Sequence, residues 1–568
     1  MSSVVTANEI ESYHLSKNRK LNIYEPKEYF TVILFVLLSS SIMALESSIL
    51  PSIDDIRSHF NASTSSIAVM LTIYTFSGLI FNPLVSSMSD RFGERATLLS
   101  YAIIFITGNL LAGFNHTDSL GLFLFFRGLS GTSVASLSLF LSYIHNHLPS
   151  GILKRAGLTL VSLSFSWGLS YGYIFEAVLT KYFGTWRLSF VVVGFIQIVC
   201  VIVLYFLMHP KNPSLKIKNN KIDAVGIVTL LIGMSGLVTW ITIGDQDGYF
   251  ETTPLIALIV GVIFTILFII FERKSENPIF PVVLLKDGYN LSLSLTSISL
   301  GYTLFSIMQN VPYFLSSPTA SPFNGFGMDN TWDLATTLLF TSLLQPVGAP
   351  LTSWIALKLR GFTLVLIGII GLFGVNITLY LSTDTLLTLK IELIIFSFFV
   401  GSLMSSIISA IDENTRLLTG LTKEKITARA FSLNMMCRLL ASSVAPVVSN
   451  AIAIQHTSAG KVTKEGYNNV FLTSAIVTFV GVIVQFIVLA CGCAKKPNET
   501  KSQNEDLVVV CEEERKMTPS VTEMEEMVNH REEDKVEEKT ESVASETSEK
   551  SEVVVDEEAV VTEEETEQ

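Results

Sequence analysis

The chain of 568 residues is 49% hydrophobic and only 16% charged, with a mean hydropathy of +0.50, whereas soluble domains carry about 25% charged residues. This balance excludes a string of soluble domains and reads as an all-α polytopic membrane protein. The net charge of −13 belongs to a tail, since residues 497–568 hold 25 Asp+Glu against 7 Lys+Arg, and no part carries the basic, aromatic-interleaved stripe that a nucleic-acid partner needs.

Residues 1–28 are polar, and the apolar run that follows is too long for a signal peptide and lacks a small-residue cleavage site, so it is expected to remain as a span. A bilayer core of ~30 Å takes about 20 apolar helical residues. Fourteen stretches qualify, at 29–50, 65–88, 97–114, 119–144, 156–179, 188–208, 224–243, 253–271, 289–315, 331–356, 362–382, 386–410, 428–454 and 469–491. The loops that share a side with the N-terminus hold 24 Lys+Arg and the opposite loops 6. The positive-inside rule then puts both termini in the cytoplasm of an integral membrane protein, expected in the plasma membrane. The triplets Asn61-Ala-Ser63 and Asn115-His-Thr117 fall on the outer face in this arrangement.

Five regions follow: a cytoplasmic segment 1–28, six spans over 29–208, basic loops with two inserted spans over 209–288, six spans over 289–491, and an acidic tail 492–568. Six plus two plus six is a transporter layout, because two six-helix halves can rock about a midplane site. The tail is rich in Glu, Ser and Thr and cannot bury a core; its partner is unknown. Cysteines 200, 437, 491, 493 and 511 are too few and too irregular for a disulfide framework or zinc site. Cys491 and Cys493 close the last span as packing residues or palmitoylation sites. No cofactor motif, metal cluster or nucleophile constellation is present, so an enzyme is not expected and transport must run downhill or on an ion gradient.

Between spans 2 and 3 lies Ser86-Ser-Met-Ser-Asp90-Arg91-Phe-Gly93-Glu94-Arg95. A turn this tight needs glycine where the chain reverses. The run resembles the loop signature of the major facilitator superfamily through Asp90, Arg91, Gly93 and Arg95, with Ser86 and Glu94 departing from it. The resemblance implies a major facilitator fold of two six-helix bundles, here with two extra central helices, and gives Asp90 and Arg91 a gating role on the cytoplasmic side. Span 4 contains Phe126-Arg127-Gly128-Leu-Ser-Gly131. An arginine inside a span is a functional candidate by default, and its surroundings are similar to the superfamily signature in which arginine assists proton transfer. A purely structural Arg127 that satisfies helix carbonyls is the alternative. Gly128 and Gly131 read as close-packing residues.

Span 1 ends Ala44-Leu-Glu46-Ser-Ser-Ile-Leu-Pro51. A carboxylate one turn inside an apolar run changes charge with the exposure of its cavity, which a proton-coupling group requires. The segment resembles the span-1 signature of the 14-helix drug:proton antiporters, although the family's aspartate would align with Ile42, one turn before Glu46. Span 5 carries Gly168-Leu-Ser-Tyr-Gly172-Tyr173 and Glu176. Gly168 and Gly172 keep an antiporter-like glycine pattern whose proline is replaced by Leu169. Glu176 reads as a second titratable group or as a wet residue near the helix end, its position favouring the latter. Thr185-Trp186-Arg187 reads as an interfacial anchor.

In the second half, the run Glu276–Lys286, the stretch Gln309-Asn310-Val-Pro312-Tyr313 and the pair Asn434/Arg438 resemble the same branch. Gln309, Asn310 and Gln345 beside prolines, with Asn434 and Arg438, are candidate cavity-lining residues or interhelical hydrogen-bonding groups. Most of the 37 phenylalanines are expected to face lipid. The reading is a secondary transporter that exports small organic compounds in exchange for protons, with Glu46, Arg127 and Glu176 as coupling groups. A proton-coupled carrier of amino acids or other metabolites comes second, and a transporter-like sensor third.

Overall fold

The computed structural model describes residues 26–491 except 63, 149–151, 209–222, 248–250, 276–283, 285–286, 329, 357, 418–422 and 460. The tail, Cys493, Cys511 and the run Glu276–Pro281 lie outside the described residues.

Apolar runs in hydrocarbon must satisfy their own backbone, and helices do so. In chain order come α1 (Pro26–Ser48), the short α2 (Ile53–Phe60), α3 (Thr64–Phe92) and α4 (Glu94–Phe114). Next, α5 (Leu120–Gly131) runs through a 3-10 turn, Thr132–Ala135, into α6 (Ser136–His147), followed by α7 (Ile152–Phe183) and α8 (Arg187–Leu207). Two further helices, α9 (Ala224–Asp247) and α10 (Thr252–Lys274), precede α11 (Gly288–Ser316), α12 (Thr331–Leu338) and α13 (Gln345–Ile355). The chain closes with α14 (Gly361–Leu381), α15 (Leu386–Leu417), α16 (Lys423–Ile454), a two-stranded antiparallel hairpin pairing Thr457–Ser458 with Lys461–Val462, and α17 (Lys464–Ala490). Among the described residues, twelve helical passes are long and apolar enough to cross a membrane. The two other expected spans, 156–179 and 224–243, fall on α7 and α9.

Packing repeats along the chain. The first helix of the earlier set, α1, lies against α7 and α8, and α4 lies against α8; in the later set α11 lies against α16 and α17, and α14 against α17. Helices α9 and α10 pack mainly on each other, and α9 touches α3 and α16. The sets meet through α3 and α6 on α16, and α7 on α12, α13 and α15.

The serine-rich helices lie innermost: α1 buries Ser39, Ser40, Ser41, Ser47 and Ser48, and α11 buries Ser292, Ser294, Ser297, Ser299 and Ser306. By contrast α8 and α10 present Phe195, Val199, Phe206, Ile256, Ile263 and Ile270 outward. In a bilayer this sorting is natural, because hydroxyls need partners and apolar side chains do not. The expectation that most phenylalanines face lipid is corrected here, since among the described residues ten are exposed and fourteen are buried. Nine of the twelve largest fully buried side chains are phenylalanines, Phe35, Phe105 and Phe123 among them, since large rings fill the gaps that small serines leave between the inner helices.

At the face opposite the start of α1, α2 docks Phe60 on Phe123 with ring centroids 5.4 Å apart. Arg187 ties that face together: Nε donates to the Asn115 carbonyl at 3.0 Å, Nη2 meets His59 Nε2 at 2.8 Å, and the guanidinium covers the Trp186 ring. Asn115 is itself buried and its Oδ1 accepts from the Thr117 amide and hydroxyl. The triplet at 115–117 thus forms a closed local turn.

Candidate functional site

Three helices build the centre of the earlier half. Tyr74 on α3 donates its hydroxyl to the Ile42 carbonyl of α1 at 2.7 Å. Gly131 allows α5 to approach α3 so closely that a Cβ there would lie 2.3 Å from the Tyr74 carbonyl oxygen. One turn before that glycine, Arg127 points between α1 and α3. Its Nε donates to the Met70 carbonyl at 2.9 Å, Nη1 to the Leu45 carbonyl at 3.2 Å, and Nη2 to the Glu46 carbonyl at 3.2 Å and to Glu46 Oε2 at 3.0 Å. The Tyr74 ring lies beneath the guanidinium at 5.0 Å. Arg127 is completely buried and Glu46 is 6% exposed.

Two candidates 81 residues apart thus form a buried ion pair. Arg127 satisfies three helix carbonyls and also pairs with one carboxylate.

Gly168 and Gly172 fix the neighbouring wall. A Cβ on Gly168 would meet the Ser40 carbonyl at 2.5 Å, and one on Gly172 would meet Ser47 Oγ at 2.2 Å and the Ala44 carbonyl at 2.3 Å. The i, i+4 spacing puts both on the face of α7 that lies on α1, directly beside Glu46. One turn on, Glu176 is 1% exposed. The wet setting favoured from sequence is corrected: Ser52 Oγ donates to its Oε1 at 2.6 Å and Thr180 Oγ1 at 3.0 Å, because the chain after α1 folds back over this end of α7.

Between the halves lies a cavity of about 30 Å³ lined by Glu46, Ser47, Leu50, Leu71, Leu169 and Tyr173 on one side and Phe305, Met308, Gln309 and Pro446 on the other. A water needs ~10–15 Å³ by this measure, so in this conformation the cavity has room for water-sized molecules and is too small for an organic one. Tyr173 closes it by donating its hydroxyl across to the Met308 carbonyl at 2.9 Å.

Of the candidate lining residues, only Gln309 reaches this cavity. Asn310 and Gln345 turn back to carbonyls of their own helix turn, Ser306 and Thr341. Asn434 Nδ2 donates to Ser297 Oγ at 2.7 Å and to the Leu293 carbonyl, and its Oδ1 lies 3.5 Å from Arg438 Nη2.

At the α3–α4 turn, Gly93 takes φ +89°, a conformation that favours glycine. The Asp90 side chain lies outside what the structure describes. Arg91 is exposed, and Arg95 donates to the Tyr205 carbonyl at 2.6 Å while covering its ring. Among the described side chains of this loop, Glu94, the departure from the signature, fastens α4 to α6. Its Oε1 accepts from Ser142 Oγ and Asn146 Nδ2, and Oε2 lies 3.1 Å from His147 Nδ1. On the same face the halves are joined by His145 Nδ1 and Asp412 Oδ1, 2.5 Å apart, and by a hydrogen bond between Thr159 and Ser353. Sequence reasoning missed Tyr74, Tyr173 and the His145–Asp412 pair. Tyr173 was open to discovery, as a polar ring on the glycine face of α7.

A family model described as Major Facilitator Superfamily matches residues 32–417. The chain belongs to the major facilitator superfamily. Its relatives in sequence include vacuolar basic amino acid transporter 2 of Saccharomyces cerevisiae, 24% identical over 53% of this chain and 65% of that protein. The multidrug transporter protein MdtP of Bacillus subtilis is 24% identical over 57% and 58% of the two chains, and the multidrug export protein EmrB of Escherichia coli 27% over 44% and 48%. The chain thus spans less than two thirds of the length of each of these relatives. In structure this facilitator protein is similar to the human organic anion transporter MFSD10 (TETRAN), with a TM-score of 0.54, 13% identity, and coverage of 81% of this chain and 100% of the other. That likeness concerns the fold. The superfamily expected from the motifs is confirmed, and the multidrug relatives agree with the drug:proton antiporter branch. Its apolar helical passes are those of an integral membrane protein of this superfamily.

Proposed function

We propose that this transporter exports small organic compounds in exchange for protons, with Glu46 as the group that alternately carries a proton and faces substrate. The observation that carries this reading is the double position of Glu46: it is the ionic partner of Arg127 and it also lines the cavity between the halves. When the halves part, water or a substrate cation reaches the carboxylate. When they close, Glu46 either keeps its pairing with Arg127 or leaves it as a neutral acid. Arg127 stays on its three carbonyls throughout, so the proton can come and go without the helices losing their register. Glu176, hydrogen-bonded one turn farther along α7, is the second coupling group in this scheme.

The repeated packing of α1–α8 and α11–α17 supplies the two bundles that rock. The His145–Asp412 and Thr159–Ser353 contacts, together with the signature loop that carries Asp90 and Arg91 just before Glu94, form the gate on the cytoplasmic side. Lys and Arg asymmetry supports cytoplasmic termini, and we take the plasma membrane as the site of residence. The second reading is a proton-coupled carrier of amino acids or other metabolites. The yeast vacuolar relative and the loss of the span-5 proline at Leu169 favour it. A sensor is disfavoured by the retained buried pair of Glu46 and Arg127.

The test is proton movement in proteoliposomes that hold the full chain, challenged with lipophilic cations and with amino acids. Proton release driven by lipophilic cations is expected. Release driven by amino acids alone would favour the second reading, and no response to any compound would overturn both.

A further inference from the structure

Arg438 is a buried cation that the proposed proton exchange does not use. Its side chain is 3% exposed, and its guanidinium lies over the Phe165 ring of α7 at 5.3 Å. Nη2 has Asn434 Oδ1 at 3.5 Å, and Nε has no acceptor. Among the described residues no carboxylate lies within ion-pair distance of it, in contrast to Arg127. A charge buried without a counter-charge is costly and is retained where a ligand supplies the missing partner. Asn434 is held by Ser297 and the Leu293 carbonyl through its Nδ2, which aims its oxygen at Arg438.

The location suits a ligand path. Along α7, Leu169 lines the central cavity and Leu158 lines a second cavity of about 170 Å³, shared with Arg155, Ser353, Asp412 and Glu413. Phe165 stands between them, about 6 Å along the helix from one residue and 10 Å from the other at 1.5 Å per residue. Phe165 is also in ring contact with Phe305, a wall of the central cavity. Arg438 therefore packs on a ring that lies along α7 between residues of two cavities, and this cover belongs to the other half of the molecule. Separation of the halves draws the ring of Phe165 away and bares the guanidinium.

We propose that Arg438 is an anion-recognition site on the translocation path, and that it admits a class of compounds additional to the cations that meet Glu46, those with a carboxylate beside an apolar body. The guanidinium fork matches a carboxylate in two-point geometry, and Leu71, Leu169, Phe305 and Met308 receive the apolar part. This inference rests on the transporter reading but not on proton exchange at Glu46.

The test is equilibrium binding to the purified full chain, without a gradient, of radiolabelled benzoate, leucine and lysine, each compared with its carboxamide. At least one carboxylate is expected to bind about tenfold more tightly than its amide, the discrimination one charge-assisted contact provides. Arg438→Gln abolishes that preference and Arg438→Lys reduces it; should the Gln variant not fold, the Lys variant decides. A preference for benzoate assigns simple organic acids, and one for leucine or lysine assigns amino acids. Failure of any carboxylate to bind, equal binding of acid and amide, or a preference untouched by the variants overturns the inference. Compound-driven proton movement that persists in such a case leaves the antiport reading standing. Arg438-dependent carboxylate binding without any proton movement has the opposite meaning.

Discussion

Arg127→Ala is expected to cost about 3–5 kcal/mol, because it leaves the Glu46 carboxylate buried without its partner and unbinds three helix carbonyls. The cost should appear as a large loss of monodisperse protein and a lowered melting temperature in detergent. Pairing Arg127→Met with Glu46→Gln should recover much of that stability, since a buried ion pair replaced on both sides is often nearly neutral. Transport would not return with it. A single variant as stable as the double would mean that the pair does not hold α1, α3 and α5 together.

Gly172→Leu is the second large effect. Even the first added carbon meets the Ala44 carbonyl at 2.3 Å and Ser47 Oγ at 2.2 Å, and the carbonyl is backbone that cannot swing aside. Overpacking of this kind costs about 1–3 kcal/mol for a small group, and leucine exceeds it by pushing α7 off α1 beside Glu46. Loss of folded protein is expected, with Gly172→Ala already clearly destabilised. Gly374 on α14 has nothing within 4 Å of an added Cβ, so Gly374→Ala should melt within about 0.5 kcal/mol of the parent. Similar behaviour of the two alanine variants would contradict the close approach of α1 and α7.

The contrast between these positions shows what could be read in advance. Gly168 and Gly172 stood out because they keep a glycine pattern that resembles the antiporters' span 5, and the structure lays their shared helix face on α1. Glu46 and Arg127 were visible for another reason: a charge within an apolar run demands an explanation, whatever its partner. That they pair with each other was not written in either segment, because the contact spans two helices whose approach depends on Tyr74 and Gly131. Glu176 was misplaced for a related cause. Its distance from the helix end suggested water, but the return of the chain through Ser52 covers it. His145 and Asp412 lie 267 residues apart, and neither sits in a motif. Such inter-half contacts arise from assembly of the bundles, and local pattern has no access to them.

The signature loop teaches the converse. Its resemblance drew attention to Asp90 and Arg91, yet the described contacts that fasten α4 to α6 come from Glu94, where the sequence departs from the family. A departure from a motif is thus a residue to follow.

The most direct measurement compares wild type with Glu46→Gln in proteoliposomes for two processes: uphill substrate movement driven by an imposed pH gradient, and counterflow of labelled against unlabelled substrate without a gradient. The account predicts that Glu46→Gln loses gradient-driven accumulation while counterflow persists, since the cavity still alternates but no longer exchanges a proton. Undiminished uphill transport by the variant would contradict it and move the coupling group elsewhere, with Glu176 the next carboxylate to replace.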